Sequence, residues 1–256
     1  MMKLLLFVCA FVTFLGVHTF GQTINSSGVG SGQWNDPLSW NPNTVPTNAN
    51  SSLVQIQNGH TITVTATPTS IDQLFIRSGG TLIINSAVNL PLNNGTGDDL
   101  TVDAGGTLTN NGTLTLPASV LSRVQINGTV NNNGTFASAS STKLKFGANS
   151  TYSHVFLDGG TIPTAAWDAT STMQITGYTV GSTVPPTGLN QTFGNFIWNC
   201  PTQDGEFDLG GQPSNVQANF TVQDTGTGDI VWNAGSGANG DLVVGSGPSG
   251  GNFSTQ

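Results

Sequence analysis

Apolar and polar positions alternate along this chain in short runs. Val54-x-Ile56, Ile62-x-Val64, Leu74-x-Ile76, Leu100-x-Val102 and Val124-x-Ile126 each place every second residue on one side. A period of two marks a β-strand with one face buried and one wet. The runs are punctuated by a small motif, a glycine followed by Thr and an apolar residue. It reads Gly79-Gly80-Thr81-Leu82, Gly105-Gly106-Thr107-Leu108, Asn111-Gly112-Thr113-Leu114, Asn127-Gly128-Thr129-Val130, Asn133-Gly134-Thr135-Phe136 and Gly159-Gly160-Thr161-Ile162. From Gly59 through Gly80 and Gly106 to Gly128 the steps are 21, 26 and 22 residues. Recurrence at that period is the signature of stacked repeats, one supersecondary unit per repeat. The chain therefore predicts an all-β fold, a right-handed parallel β-helix with an N-terminal cap. Ile56, Ile76, Val102 and Ile126 are expected to point inward, coil upon coil. Asn-Gly pairs also close two-residue hairpins, so antiparallel pairing is the alternative architecture.

The pattern divides the chain. Residues 22–52 are polar and irregular, with Pro37, Pro42 and Pro46 and two tryptophans, Trp34 and Trp40. They are the expected cap over the first coil, whose open end would otherwise expose core and unpaired strand edge. Residues 53–162 are the expected coils, with 137–150 a looser Ser- and Ala-rich turn. Residues 163–256 continue as a β-rich region through Met173-x-Ile175, Phe193–Trp198 and Phe220-x-Val222. The last stretch, from 235, is Gly-rich without a recognisable cap, and the chain reads as truncated there. No run with helical period comes after the first 22 residues.

Those first residues form an expected secretory signal over 1–21. Lys3 precedes an apolar run from Leu4 to Val17, 14 residues long, too short for a span of roughly 20. Thr19-Phe20-Gly21 offers small residues for cleavage before Gln22. Export to the cell surface or beyond is the expected location. Removing Lys3 leaves four basic residues against thirteen acidic ones, a net charge near −9. That balance excludes nucleic acid and anionic membrane surfaces as partners, since both need clustered Lys and Arg. Charged residues are only 7% of the chain, against about 25% in ordinary domains; Asn, Thr, Ser and Gly take their place. One cysteine survives processing, Cys200, so no intrachain disulfide forms. It is expected to be a buried small hydrophobe.

Two longer runs resemble known families. The first is Trp34-Asn35-Asp36-Pro37-Leu38-Ser39-Trp40-Asn41-Pro42, then Val45-Pro46, then Val54–Val64. It is similar to the opening of eight-glycine-type β-rich domains at the N-termini of large bacterial surface proteins. The second is Gly159–Trp167, Ile175-Thr176-Gly177 and Phe193–Pro201. It resembles a block of long exported proteins of the type IX secretion class. The resemblance implies secretion, a β-helical body and a surface location. It implies no catalytic residues.

Candidate chemistry is sparse. The mature chain has two histidines, His60 and His154, and no Gly-x-Ser-x-Gly elbow. A β-helical polysaccharide lyase or hydrolase would need grouped carboxylates, for which Asp72, Asp98, Asp99 and Asp103 are the candidates, with Arg123 as the candidate basic residue. Asp204, Glu206 and Asp208 sit at alternate positions and are the candidate Ca²⁺ ligands; no other cofactor is expected. Trp34, Trp40 and Trp167 would serve a carbohydrate-binding module if exposed. The leading expectation is a secreted structural or adhesive surface module, non-catalytic, displaying neighbouring domains, with surface or matrix glycan as its partner.

Overall fold

A computed structural model describes residues 21–231 except 29, 120 and 122, together with the backbone of 243–244 and 253–255. The expected signal over 1–21 lies outside the described residues but for its last position, as does most of the stretch from 235. The described chain is a parallel β-solenoid of about eight turns. Its only described helix is the single 3-10 turn Pro37–Ser39.

Two sheets run the length of the molecule. One has eight strands and includes Ser51–Ile56, Leu74–Ile76, Leu100–Val102, Val124–Ile126, Leu144–Phe146 and Ala166–Trp167. The other has ten strands, among them Thr61–Val64, Thr81–Ile84, Thr107–Asn110, Thr129–Asn132, Thr151–His154 and Thr172–Ile175. A third sheet closes three coils through Asn89–Pro91, Thr113–Thr115 and Thr135–Ala137. Every described strand pair is parallel save one, Gln22–Ser26 with Trp40–Asn41. Parallel neighbours need a long crossover between them, and here the rest of the coil supplies it. The hairpin alternative is thereby excluded: Asn-Gly pairs turn the corners between sheets instead of reversing a strand.

Register follows the apolar alternation. Ile56, Ile76, Val102, Ile126, Phe146 and Trp167 are successive partners in one inward column. Ile62, Leu82, Leu108, Val130, Tyr152, Met173 and Phe196 form another. All are buried. A one-residue slip would turn a whole column to solvent, so burial pins each coil to the next. Two glycine types make the corners. Gly105 has φ +82, which a side chain opposes, while a Cβ on Gly106 would lie 2.7 Å from the carbonyl oxygen of Ile76. The first must turn left-handed; the second lies too close to the coil below to carry a side chain.

The interior changes character along the axis. Between the cap and Val130 the coils are filled mainly by Val, Ile and Leu. Beyond Phe136 they are filled by stacked aromatics: Phe146 on Trp167 at 4.1 Å between centroids, Phe196 on Phe220 at 4.9 Å. The third sheet stops at Thr135–Ala137; beyond it a short three-stranded sheet starts at Thr192–Phe193 and a two-stranded sheet pairs Glu206–Asp208 with Asp229–Val231.

Two stretches differ from their expected form. Residues 137–150 are not simply a turn: Leu144–Phe146 is a strand paired with Val124–Ile126, with Leu144 and Phe146 inward and Lys145 outward. Within 22–52, Gln22–Ser26 and Ser31–Gln33 already join the two long sheets. The segment from Trp34 to Asn50 is the part that covers the first coil. Its strand Trp40–Asn41 pairs antiparallel on the first strand's edge, and its Ser39 hydroxyl accepts from the Gln33 amide.

Candidate functional site

The three tryptophans that would serve sugar stacking if exposed are core residues. Trp34 and Trp40 are fully buried and meet edge to face at 5.0 Å, with Trp40 Nε1 donating to the Trp34 carbonyl at 2.8 Å. Trp167 lies between Phe146 and Phe193, and its Nε1 donates to Gln191 at 3.1 Å. A sugar face needs an open ring; these rings are closed by their neighbours. Alternation explains it, since Trp167 follows Phe146 in an inward column. The tryptophans seal the N-terminal coil and fill the middle of the solenoid.

The acidic triplet does not converge. Phe207 turns inward and puts Glu206 and Asp208 outward on the strand Glu206–Asp208. Asp204 sits before that strand and accepts from the Gly181 amide at 2.8 Å. Asp208 accepts from the Gly210 amide. Asp204 and Asp208 thus each tend a separate turn. Among the described residues no three His, Cys, Asp or Glu side chains gather as a metal site.

The enzymatic candidates divide likewise. Asp99 and Asp103 flank the strand Leu100–Val102 at opposite ends. Asp103 takes Arg77 at 3.2 Å, a surface pair with both partners about one third exposed. Arg77 also donates to Gln55 at 2.7 Å and lies over the Phe75 ring at 4.6 Å. Asp99 is buried and accepts from the Gly95 and Arg123 amides at 3.2 and 2.9 Å. Asp72 lies beneath the same loop, close against Gly95. Burial, then the neighbouring Asp99 charge, pushes its carboxyl above the usual range. Among these candidates, Asp72 and Asp99 are the pair in which one carboxylate raises the pKa of its neighbour.

The pattern puts His60 at a turn after Asn58-Gly59 and His154 in an alternating strand, and the structure adds their partners. His60 accepts or donates at Nδ1 with the buried Ser26 hydroxyl at 2.8 Å, and that hydroxyl also accepts from the Gln57 amide. The contact joins residues 34 apart, so no local motif announces it. His154 is buried, with Nε2 at 2.8 Å from the Gly159 carbonyl and Nδ1 without a partner. Desolvation lowers its basicity, which favours the neutral ring. It ends an inward polar column of Asn110, Asn132 and His154. Cys200 is buried and free; burial pushes its thiol up to about 11.

An open polar cleft of about 530 Å³ lies beside the cap, lined by Ser31, Gln33, Asp36, Thr63 and Thr65. Among the described residues no helix is long and apolar enough to cross a membrane. Comparison with protein-family models, curated proteins and solved structures finds no match.

Proposed function

We propose that the chain is a structural and adhesive module of a secreted surface protein, presenting surface and supporting neighbouring domains without turning over a substrate. One observation carries this reading. A ten-stranded parallel sheet runs along the molecule, and from Thr61–Val64 to Thr172–Ile175 its outward side chains are uncharged and mostly half-buried. A rigid column of that kind holds attached domains at a fixed distance and offers one face repeatedly. The resemblance to type IX exported proteins and the expected signal support export. Surface or matrix glycan is the partner class that suits an acidic, Thr- and Asn-coated exterior.

The Asp72–Asp99 pair favours a second reading, a polysaccharide-cleaving enzyme, because a carboxyl of raised pKa beside a second carboxylate is the usual acid–base arrangement. Incubation with plant, algal and microbial polysaccharides, with and without Ca²⁺, separates the two. The structural reading expects no reducing-end or unsaturated product. Product that disappears on Asp99→Asn would replace it with the enzyme.

A further inference from the structure

The outer side of the ten-stranded sheet carries two columns of side chains. Thr61, Thr81, Thr107, Thr129, Thr151 and Thr172 are successive register partners in the first. Thr63, Ile83, Thr109, Asn131, Ser153 and Gln174 are partners in the second, in which Ser153 is buried. All six residues of the first column are half-buried. The hydroxyls and methyls of that column therefore recur at the strand spacing of about 4.8 Å.

Charge sets this face apart. Neither column holds an ionisable residue, in a chain with eighteen Asp, Glu, Lys and Arg and a net charge of −8. Arg77, Asp103 and Lys145 lie on or beside the eight-stranded sheet, Glu206, Asp208 and Asp229 on the two-stranded sheet, and Asp224 on the ten-stranded sheet past the end of these columns. The strip complements a neutral partner. The acidic molecule around it repels polyanions, and the strip offers a polycation no counter-charge.

Regularity decides the partner's shape. The first column is uniform over six coils. The second mixes hydroxyl, branched aliphatic and long amide groups, so the face repeats along one axis only. A crystalline plane such as ice demands order in two directions; a linear polymer demands it in one. A peptide added to a sheet pairs with an edge, and this is a face. Threonine hydroxyls both donate and accept, which suits a chain of hydroxyls bound directly or through water.

We propose that the threonine column is a binding track for an uncharged linear polysaccharide lying along the solenoid axis. The proposal rests on the reading of the chain as a surface-presenting module. Contacts at each rung are weak and identical, so retention comes from their repetition.

The test is affinity electrophoresis of the full chain in native gels containing neutral polysaccharides (mixed-linkage β-glucan, xyloglucan, arabinoxylan) or anionic ones (alginate, polygalacturonate). At least one neutral polymer should retard the protein, and the anionic ones should not. The triple variant Thr107→Val, Thr129→Val, Thr151→Val keeps the branched shape and removes three hydroxyls. It should lose at least about tenfold in apparent affinity. Thr113→Val with Thr135→Val, on the third sheet, should behave as wild type, and urea midpoints should show all variants folded. Four results would overturn the assignment: no retardation by any neutral polymer, equal retardation by anionic ones, equal loss in the third-sheet control, or inhibition of ice recrystallisation that the triple variant loses. Product release, assayed in the same mixtures, would overturn the non-catalytic reading instead, so the two failures are distinguishable.

Discussion

At single positions, the repeat's glycines and its buried histidine carry the most testable physics. A Cβ on Gly128 would lie 2.3 Å from the Gly106 carbonyl oxygen and 2.4 Å from that of Asp103. Gly59 has φ +74 but open space around it. Gly128→Ala must push two coils apart and should cost roughly 3 kcal/mol, as overpacking does. Gly59→Ala should cost only about 1 kcal/mol, the left-handed penalty. Urea unfolding of the two variants checks the order. Burial lowers the folded pKa of His154 below the 6.5 of the free side chain. As pH falls below 6.5 the unfolded chain takes up a proton that the folded chain refuses. The His154 contribution is therefore complete above that pH and declines below it, by at most about 1.4 kcal/mol per pH unit. Urea midpoints at pH 7.5 and 5.5 should differ less in His154→Gln than in wild type. The motif exposed both glycine types in the sequence. The burial of His154 was legible only as alternation within Tyr152-x-His154, because its partner, the Gly159 carbonyl, is set by how the next corner folds.

At the scale of elements, the asparagine column shows where satisfaction of polar groups outweighs hydrophobicity. Asn132 accepts from Asn110 Nδ2 at 2.8 Å and donates to the Tyr152 hydroxyl at 3.0 Å and the Gly134 carbonyl at 3.1 Å. Asn110 stands one coil earlier, beside Ile84, and its Oδ1 has no partner. The column simply ends against an apolar rung. Asn132→Ala should cost roughly 3 kcal/mol, since it strands several buried groups, and Asn110→Ala about 1 kcal/mol less. Equal losses in chemical denaturation would contradict the bridging role. The cap gives a second prediction. Trp40→Ala removes a fully buried ring and its bond to the Trp34 carbonyl, and should cost about 3–5 kcal/mol while leaving polysaccharide retardation of the folded fraction unchanged. Selective loss of retardation would return the tryptophans to the sugar-binding role from which burial removes them. The aromatics were plain in the sequence, but their inward direction was not, because a short run such as Ala166–Trp167 offers too few positions to fix a phase.

Over the whole molecule, the architecture was the most legible feature. Glycine steps near one coil length, with alternation between them, carried parallel stacking across Gly59 to Gly134. They faded around the strand that holds Lys145 and where Tyr, Trp and Phe replace the aliphatics. The site was far less legible. Composition pointed to an uncharged, hydroxyl-rich exterior, yet only register shows that Thr61 and Thr172 share one column. Residues far apart in the chain align when each coil closes at its own length. The central claim is that these coils form one straight column with a single repeating face. Double electron–electron resonance between spin labels on Thr61 and, in separate samples, Thr151, Thr172 or Asn195 measures it directly. Those positions are four, five and six rungs away, so the backbone separations should be about 19, 24 and 29 Å, rising evenly by one strand spacing per coil. Separations that fail to grow from one coil to the next, as packed antiparallel hairpins would give, would contradict the account.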